Sequence, residues 1–371
     1  MLEKQRQEAG DNSQQIQAGT VIINSGIDEK RAREIVDEKL HEVIGGYTQE
    51  AREIAKERID IFANDLIPKL VKNNLLEALK DPSIQILLSE AQKSAASTER
   101  IADYELLSEL LIHRVKNGLN RNIWAGINRA VKIVDEITDE SLLGVTVAYS
   151  VLQWIPASGN LYEGLNTLNT LFGKIIYEAL PKGSEWIEHL DVLGVIRINS
   201  FGSLKKIGEF YPEVLSDYVD VGIDKTSENY QKAIEIIKEA HLPNNILCDH
   251  ELRSGFVRLQ IVRIDKLDLL SVTGQQKVNI GEQEIILPIN QPLTDHQKDA
   301  IKNIYALYNN ESKLKSQNIS KFIEKWDEYD NLRNLKSWWD EISLSYTITP
   351  VGRVLAHANA QRCDSSLPAL D

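Results

Sequence analysis

Only two cysteines, Cys248 and Cys363, occur in the 371 residues, and they lie far apart. No disulfide framework can be built from such usage, and a reducing, cytoplasmic compartment fits it. Basic residues are in the minority: 42 Lys and Arg stand against 55 Asp and Glu, a net charge of −13. That deficit argues against non-specific nucleic-acid binding, which needs surplus cations to neutralise phosphates; a local basic face remains compatible with it. A long apolar run is missing too. The longest, LLGVTVAYSVLQWI from Leu142 to Ile155, is interrupted by Gln153 and falls short of the roughly 20 residues of a spanning helix. It reads as a buried core helix, with a membrane-inserting segment as the alternative. The opening MLEKQRQEAGDNS has no basic-then-apolar signal layout.

Catalytic motifs are equally scarce. Gly173-Lys174 follows Gly164 at the wrong spacing for a phosphate loop, and neither Ser nor Thr follows the lysine. G-x-G-x-x-G, H-E-x-x-H, the EF-hand loop and G-x-S-x-G do not occur. His241, Cys248 and His250 cluster in HLPNNILCDHELRSG, but structural zinc sites pair their ligands more tightly and no fourth soft ligand is near. Arg353 and His357 stand one helical turn apart, a spacing that puts both on one face and suits a surface pair better than a helical Arg–His ribonuclease. His113 and Arg114 are adjacent and therefore diverge on a helix. No catalytic residue, cofactor or metal ligand is nominated.

What is present is a globular composition, 42% hydrophobic and 26% charged, enough for two or three cores. GDNSQQIQAGTVIINSG, residues 10–26, reads as two short strands: Ile16 sits in the first, and Val21, Ile22 and Ile23 form a β-branched second, with Gly19 and Gly26 as brackets. Strands this short need a surface to pair with. Self-association through the segment is expected, a flexible β-prone tail being the other reading.

From Asp28 the period becomes helical. A stripe of Ala51, Ala55, Ile59, Phe62, Leu66 and Leu70 marks a helix over about 48–72. Further helices follow to about residue 180. Beyond it the texture changes. Asp217 to Val221 reads as a strand, Phe256 to Val272 as either helix or strand, and Gln276 to Leu287 as a hairpin turning at Gly281. Thr294 caps a helix, and Ser345 to Thr349 leads as a strand into a helix of Gly352 to Ala360. Of the adjacent Trp338 and Trp339, one exposed ring would be an anchor for a protein partner; the alternative is that both pack inside.

Four segments carry a family resemblance: GDNSQQIQAGTVIINSGIDEKRAREI at 10–35, DPSIQILLSEAQKSAA at 81–96, LDVLGVIRINSFGSLKKI at 190–207 and YTITPVGRVLAHANAQR at 346–362. Together and in this order they resemble a group of uncharacterised bacterial proteins with a GDNS-x-QIQ-x-GT opening and a TPVG-x-x-LAHAN helix. The resemblance implies no activity and no functional residues. Similar openings head other bacterial proteins held to self-assemble, some connected with phage defence.

The expected fold is mainly α with a minor α+β C-terminal part. Residues 1–26 would be an assembly segment, 27–183 a helical domain, 184–362 an α+β domain with a hairpin and a winged-helix-like end, and 363–371 a tail. The expected function is that of a non-enzymatic homo-oligomeric interaction or sensor protein in anti-phage defence, with itself and a protein as partners. The alternative is an effector with nuclease or membrane-disrupting activity.

Overall fold

The computed structural model describes residues 26–117, 120–199, 201–280 and 283–370. The expected strands around Ile16, Val21, Ile22 and Ile23 lie outside the described residues. The body begins at α1 (Glu29–Ile44), whose first turn is capped by Asp28 Oδ1 accepting the Arg31 N–H at 2.7 Å. α2 (Gln49–Lys72) starts at Thr48 and buries the apolar stripe from Ala55 through Ile59, Phe62 and Leu66 to Leu70; Ala51, at the first turn, stays exposed. α3 (Pro82–Ser97) and α4 (Ile101–Lys116) pack on this stripe, and α5 (Arg121–Val131) lies against both.

α6 (Asp139–Gln153) is the expected apolar helix. Its residues from Ser141 to Val151 are all buried, so it is enclosed by protein on every side, as an all-round apolar helix requires. α7 (Leu161–Ile175) and α8 (Glu185–Val192) cover it in part. Among the described residues no helix is long and apolar enough to cross a membrane.

The chain then makes β1 (Ile196–Asn199), α9 (Ile207–Val214) and the single turn α10 (Ser216–Val219). The strand expected over 217–221 is replaced by that turn. A strand would alternate its side chains, whereas here Asp217, Tyr218 and Val219 are all buried, which one helical turn wedged between packed elements allows.

From Ile223 to Tyr308 a second, smaller apolar core forms. It contains β2 (Ile223–Asp224), α11 (Glu228–Glu239), β3 (Leu247–Asp249) and β4 (Phe256–Leu259), with β4 central in a three-stranded antiparallel sheet. Phe256 to Val272 thus starts as strand and passes through a 3-10 turn at Ile264–Leu269. The hairpin is β5 (Ser271–Ile280) and β6 (Gln283–Pro292), in register from Ser271 opposite Pro292 to Ile280 opposite Gln283. α12 (Asp295–Tyr305) follows, opened by a reciprocal capping box between Thr294 and Gln297.

The last stretch, α13 (Ser312–Asp327), α14 (Asp330–Glu341), β7 (Ser345–Ile348) and α15 (Pro350–Cys363), returns to the first core. β7 pairs antiparallel with β1, Ile196 opposite Ile348. α15 is buried along Val354 to Ala360 and touches α4, α5, α6 and α7. Two expectations change here. The apolar packing divides near residue 220 and rejoins after 310, not at 183, because α6 has an apolar surface that only α15 fills. The end is not winged-helix-like: β7 pairs with β1, while the β5–β6 hairpin forms a sheet of its own.

Candidate functional site

A cleft of about 770 Å³ opens where α5, β1 and α15 meet. Its walls are made at three distant places in the chain. Asn120 caps α5, its side chain accepting the N–H groups of Asn122 and Ile123. Thr349 caps α15, its Oγ1 accepting the Gly352 N–H at 3.2 Å and donating toward the carbonyls of Gly194 and Val195. Gly194, at φ +73°, ends α8 in a conformation that favours glycine. The Arg197 guanidinium lies over that turn and donates to the Ile196 carbonyl at 3.1 Å. Gly126 lets α5 approach: a Cβ there would stand 3.0 Å from the Pro350 carbonyl.

Arg197 and Arg353 both line this cleft and both are exposed. Among the described residues neither has a carboxylate partner, and no acidic residue lines the cleft. The first turns of two helices add their partial positive ends to the same space. The concavity is therefore cationic in an acidic protein.

Behind it, α15 turns its other face inward. Arg353 is exposed and His357 buried, so the pair expected on one face is split between solvent and core. His357 Nδ1 lies 3.0 Å from Tyr149 Oη, and its ring is 5.3 Å from that of His113. His113 Nε2 meets the Gln361 side-chain carbonyl in a short contact. Burial pushes both imidazoles below their ordinary range, His357 to about 4. They are neutral at pH 7, and the groups they contact are aromatic rings, an amide and each other, while the Glu109 carboxylate acts on His113 by its charge and not by a hydrogen bond. Arg114 points elsewhere, stacking 3.6 Å over the Trp124 ring.

A second concavity, about 410 Å³, lies where α10, α12 and α13 meet. Asp220 accepts from Lys315 Nζ at 2.6 Å and from Tyr305 Oη at 2.7 Å. Asp217, fully buried beside it, is pushed up to about 8 by burial first and by Asp220 second. Nearby, Arg258 is fully buried and holds Glu251 through two hydrogen bonds of 2.8 and 2.9 Å. Glu251 in turn accepts the Leu161 N–H, and Arg258 donates to the Gly159 carbonyl, which stitches the start of α7 to β4. These charges are consumed by one another.

The remaining residues singled out from sequence are dispersed. His250 is buried; its Nδ1 accepts the Leu252 N–H, so its Nε2 donates to the Asp220 carbonyl at 2.8 Å. Burial lowers it to about 4. His241 is exposed at the end of α11, and Cys248 sits in β3 opposite Arg258. Among the described residues no three His, Cys, Asp or Glu gather as a metal site would require. Trp338 and Trp339 are 8% and 2% exposed, with their indole N–H groups donating to the carbonyls of Pro181 and Lys205. Neither is free to anchor a partner: each ring fills core space and each N–H is already spent inside the fold.

A protein-family model matches residues 26–367. The chain belongs to that family. Its members are uncharacterised proteins, so membership brings no activity with it. The match opens where the β-prone segment closes and takes in every element from α1 to α15. Two of the segments that carry the resemblance, 190–207 and 346–362, meet at the cationic cleft and supply Arg197 and Arg353. No curated protein and no solved structure matches the chain.

Proposed function

We propose that this is a non-enzymatic homo-oligomeric interaction or sensor protein, in which residues 10–26 assemble copies of the chain and the helical body reports a signal to them. The observation that carries the reading is a coincidence of boundaries. The family match begins at residue 26, α1 is capped at Asp28, and the β-prone segment ends at Gly26. A segment that lies before the family match and before the first capped helix suits an assembly module. Two free cysteines, Cys248 and Cys363, agree with a cytoplasmic setting. Anti-phage defence is the biological setting we favour, on the resemblance of the opening alone.

The solution mass of the full chain, measured by light scattering beside a chain that starts at Ile27, tests the reading. A defined multimer for the first and a monomer for the second is expected. Two monomers, or two equal multimers, would remove assembly through the opening segment.

A further inference from the structure

We infer that the cleft between α5 and α15 binds a nucleotide-class small molecule, with its phosphate against Arg197 and Arg353 and its organic body along the apolar wall. Charge is the first ground. Two guanidiniums share one concavity without a carboxylate between them among the described residues, in a chain of net charge −13. Three buried or half-buried cations elsewhere close on carboxylates, Arg258 on Glu251, Lys315 on Asp220 and Arg100 on Asp103, and buried Arg114 is covered by the Trp124 ring. Cations without a carboxylate in a cleft are available to an anion, and the planar guanidinium matches phosphate oxygens two at a time. The capped first turns of α5 and α15 reinforce the same sign of field but do not select a ligand by themselves.

Shape is the second ground. About 770 Å³ lies within the roughly 300–1,000 Å³ usual for small-molecule sites, and inorganic phosphate would leave most of it empty. Ile123, Val351 and Leu370 provide apolar wall, and the Asn122 amide lines the same space with both a donor and an acceptor, which is what the edge of a base requires. A polyanion fits less well. Long nucleic acid would run over a surface whose overall charge repels it, so a free nucleotide is the occupant assigned. The assignment is independent of whether residues 10–26 assemble.

The test is calorimetric titration of the full chain with ribonucleoside mono-, di- and triphosphates. Matching nucleosides, inorganic phosphate and a short single-stranded DNA complete the panel. Saturable binding of at least one nucleotide is expected, weakening with added salt, with nucleosides and phosphate each binding more weakly. Arg197→Gln and Arg353→Gln should each weaken the nucleotide at least about tenfold, since a charge-assisted hydrogen bond is lost. Ala125→Trp, which places a ring in the cleft and leaves both arginines, should abolish binding. All three positions are exposed or at the cleft rim, and thermal melting checks that each variant is folded. No binding by the unmodified chain, or affinity unchanged in both arginine variants, would overturn the site. Phosphate binding as tightly as any nucleotide would overturn the organic body, and preference for the DNA would overturn the free small molecule.

Discussion

Two of the concave places in the molecule use their charged side chains in opposite ways. Around α10 and β4 nearly every charge meets one from the protein itself: Arg258 closes on Glu251, and Asp220 on Lys315 and Tyr305. Between α5 and α15, Arg197 and Arg353 face open space. Charges buried and paired hold elements in register; charges left unpaired at the edge of a cavity remain available to something else. The number of ionisable groups in a concavity is thus a poorer guide to binding than the number already satisfied.

The largest effect expected from breaking this contrast is at Arg258. Arg258→Ala leaves Glu251 buried without its partner, and denaturant unfolding should register a loss of about 3–5 kcal/mol. Replacing both with apolar residues, Arg258→Met with Glu251→Leu, should recover most of it; a double variant as unstable as the single one would mean that the pair does more than neutralise itself. Next comes Asp217. Its carboxyl keeps a proton to about pH 8 in the folded chain, whereas an unfolded aspartate loses it near pH 4. The folded state binds more protons across that window, so stability attributable to Asp217 is complete below about pH 4 and is lost as pH rises toward 8. Asp217→Asn cannot ionise and should gain about 1–3 kcal/mol over the unmodified chain between pH 5 and 8. Buried His250 and His357, both lowered to about 4, give the opposite slope between about pH 4 and 6.5. The difference between the two curves is therefore the quantity to follow, and a difference independent of pH would remove the argument. The smallest effect belongs to the open cleft. Arg197→Gln and Arg353→Gln should each shift stability by less than about 0.5 kcal/mol; a loss comparable with that of Arg258→Ala would place these arginines among the structural charges.

Much of this body was legible from period and capping. The stripe from Ala55 to Leu70, the pairing of the hairpin strands and the Thr294 cap all appear where local chemistry put them. Local chemistry did not extend to partnership. α15 looked like the end of a separate domain because nothing in PVGRVLAHANAQRC says which apolar surface it fills, and that surface lies on α4 and α6. Of the two readings of Trp338 and Trp339, one exposed ring or both packed inside, the second describes α14, which lies between α7 and α9 with both rings enclosed. The cationic cleft gave the weakest signal of all. The helix caps at Asn120 and Thr349 open onto one cavity with Arg197 only through the pairing of β1 with β7, which no local signal announces.

That pairing also sets an order of events during synthesis. The second core, Ile223 to Tyr308, is continuous in sequence and has all its parts once it leaves the ribosome. The first core does not: β1 waits for β7, and α6 waits for α15. Until the final segment emerges, the nascent chain carries an apolar helix covered only in part by α7 and α8, and an unpaired strand edge, the two features that chaperones engage and that seed aggregation. A product released before residue 345 would be a burden on cellular quality control even with most of its helices formed.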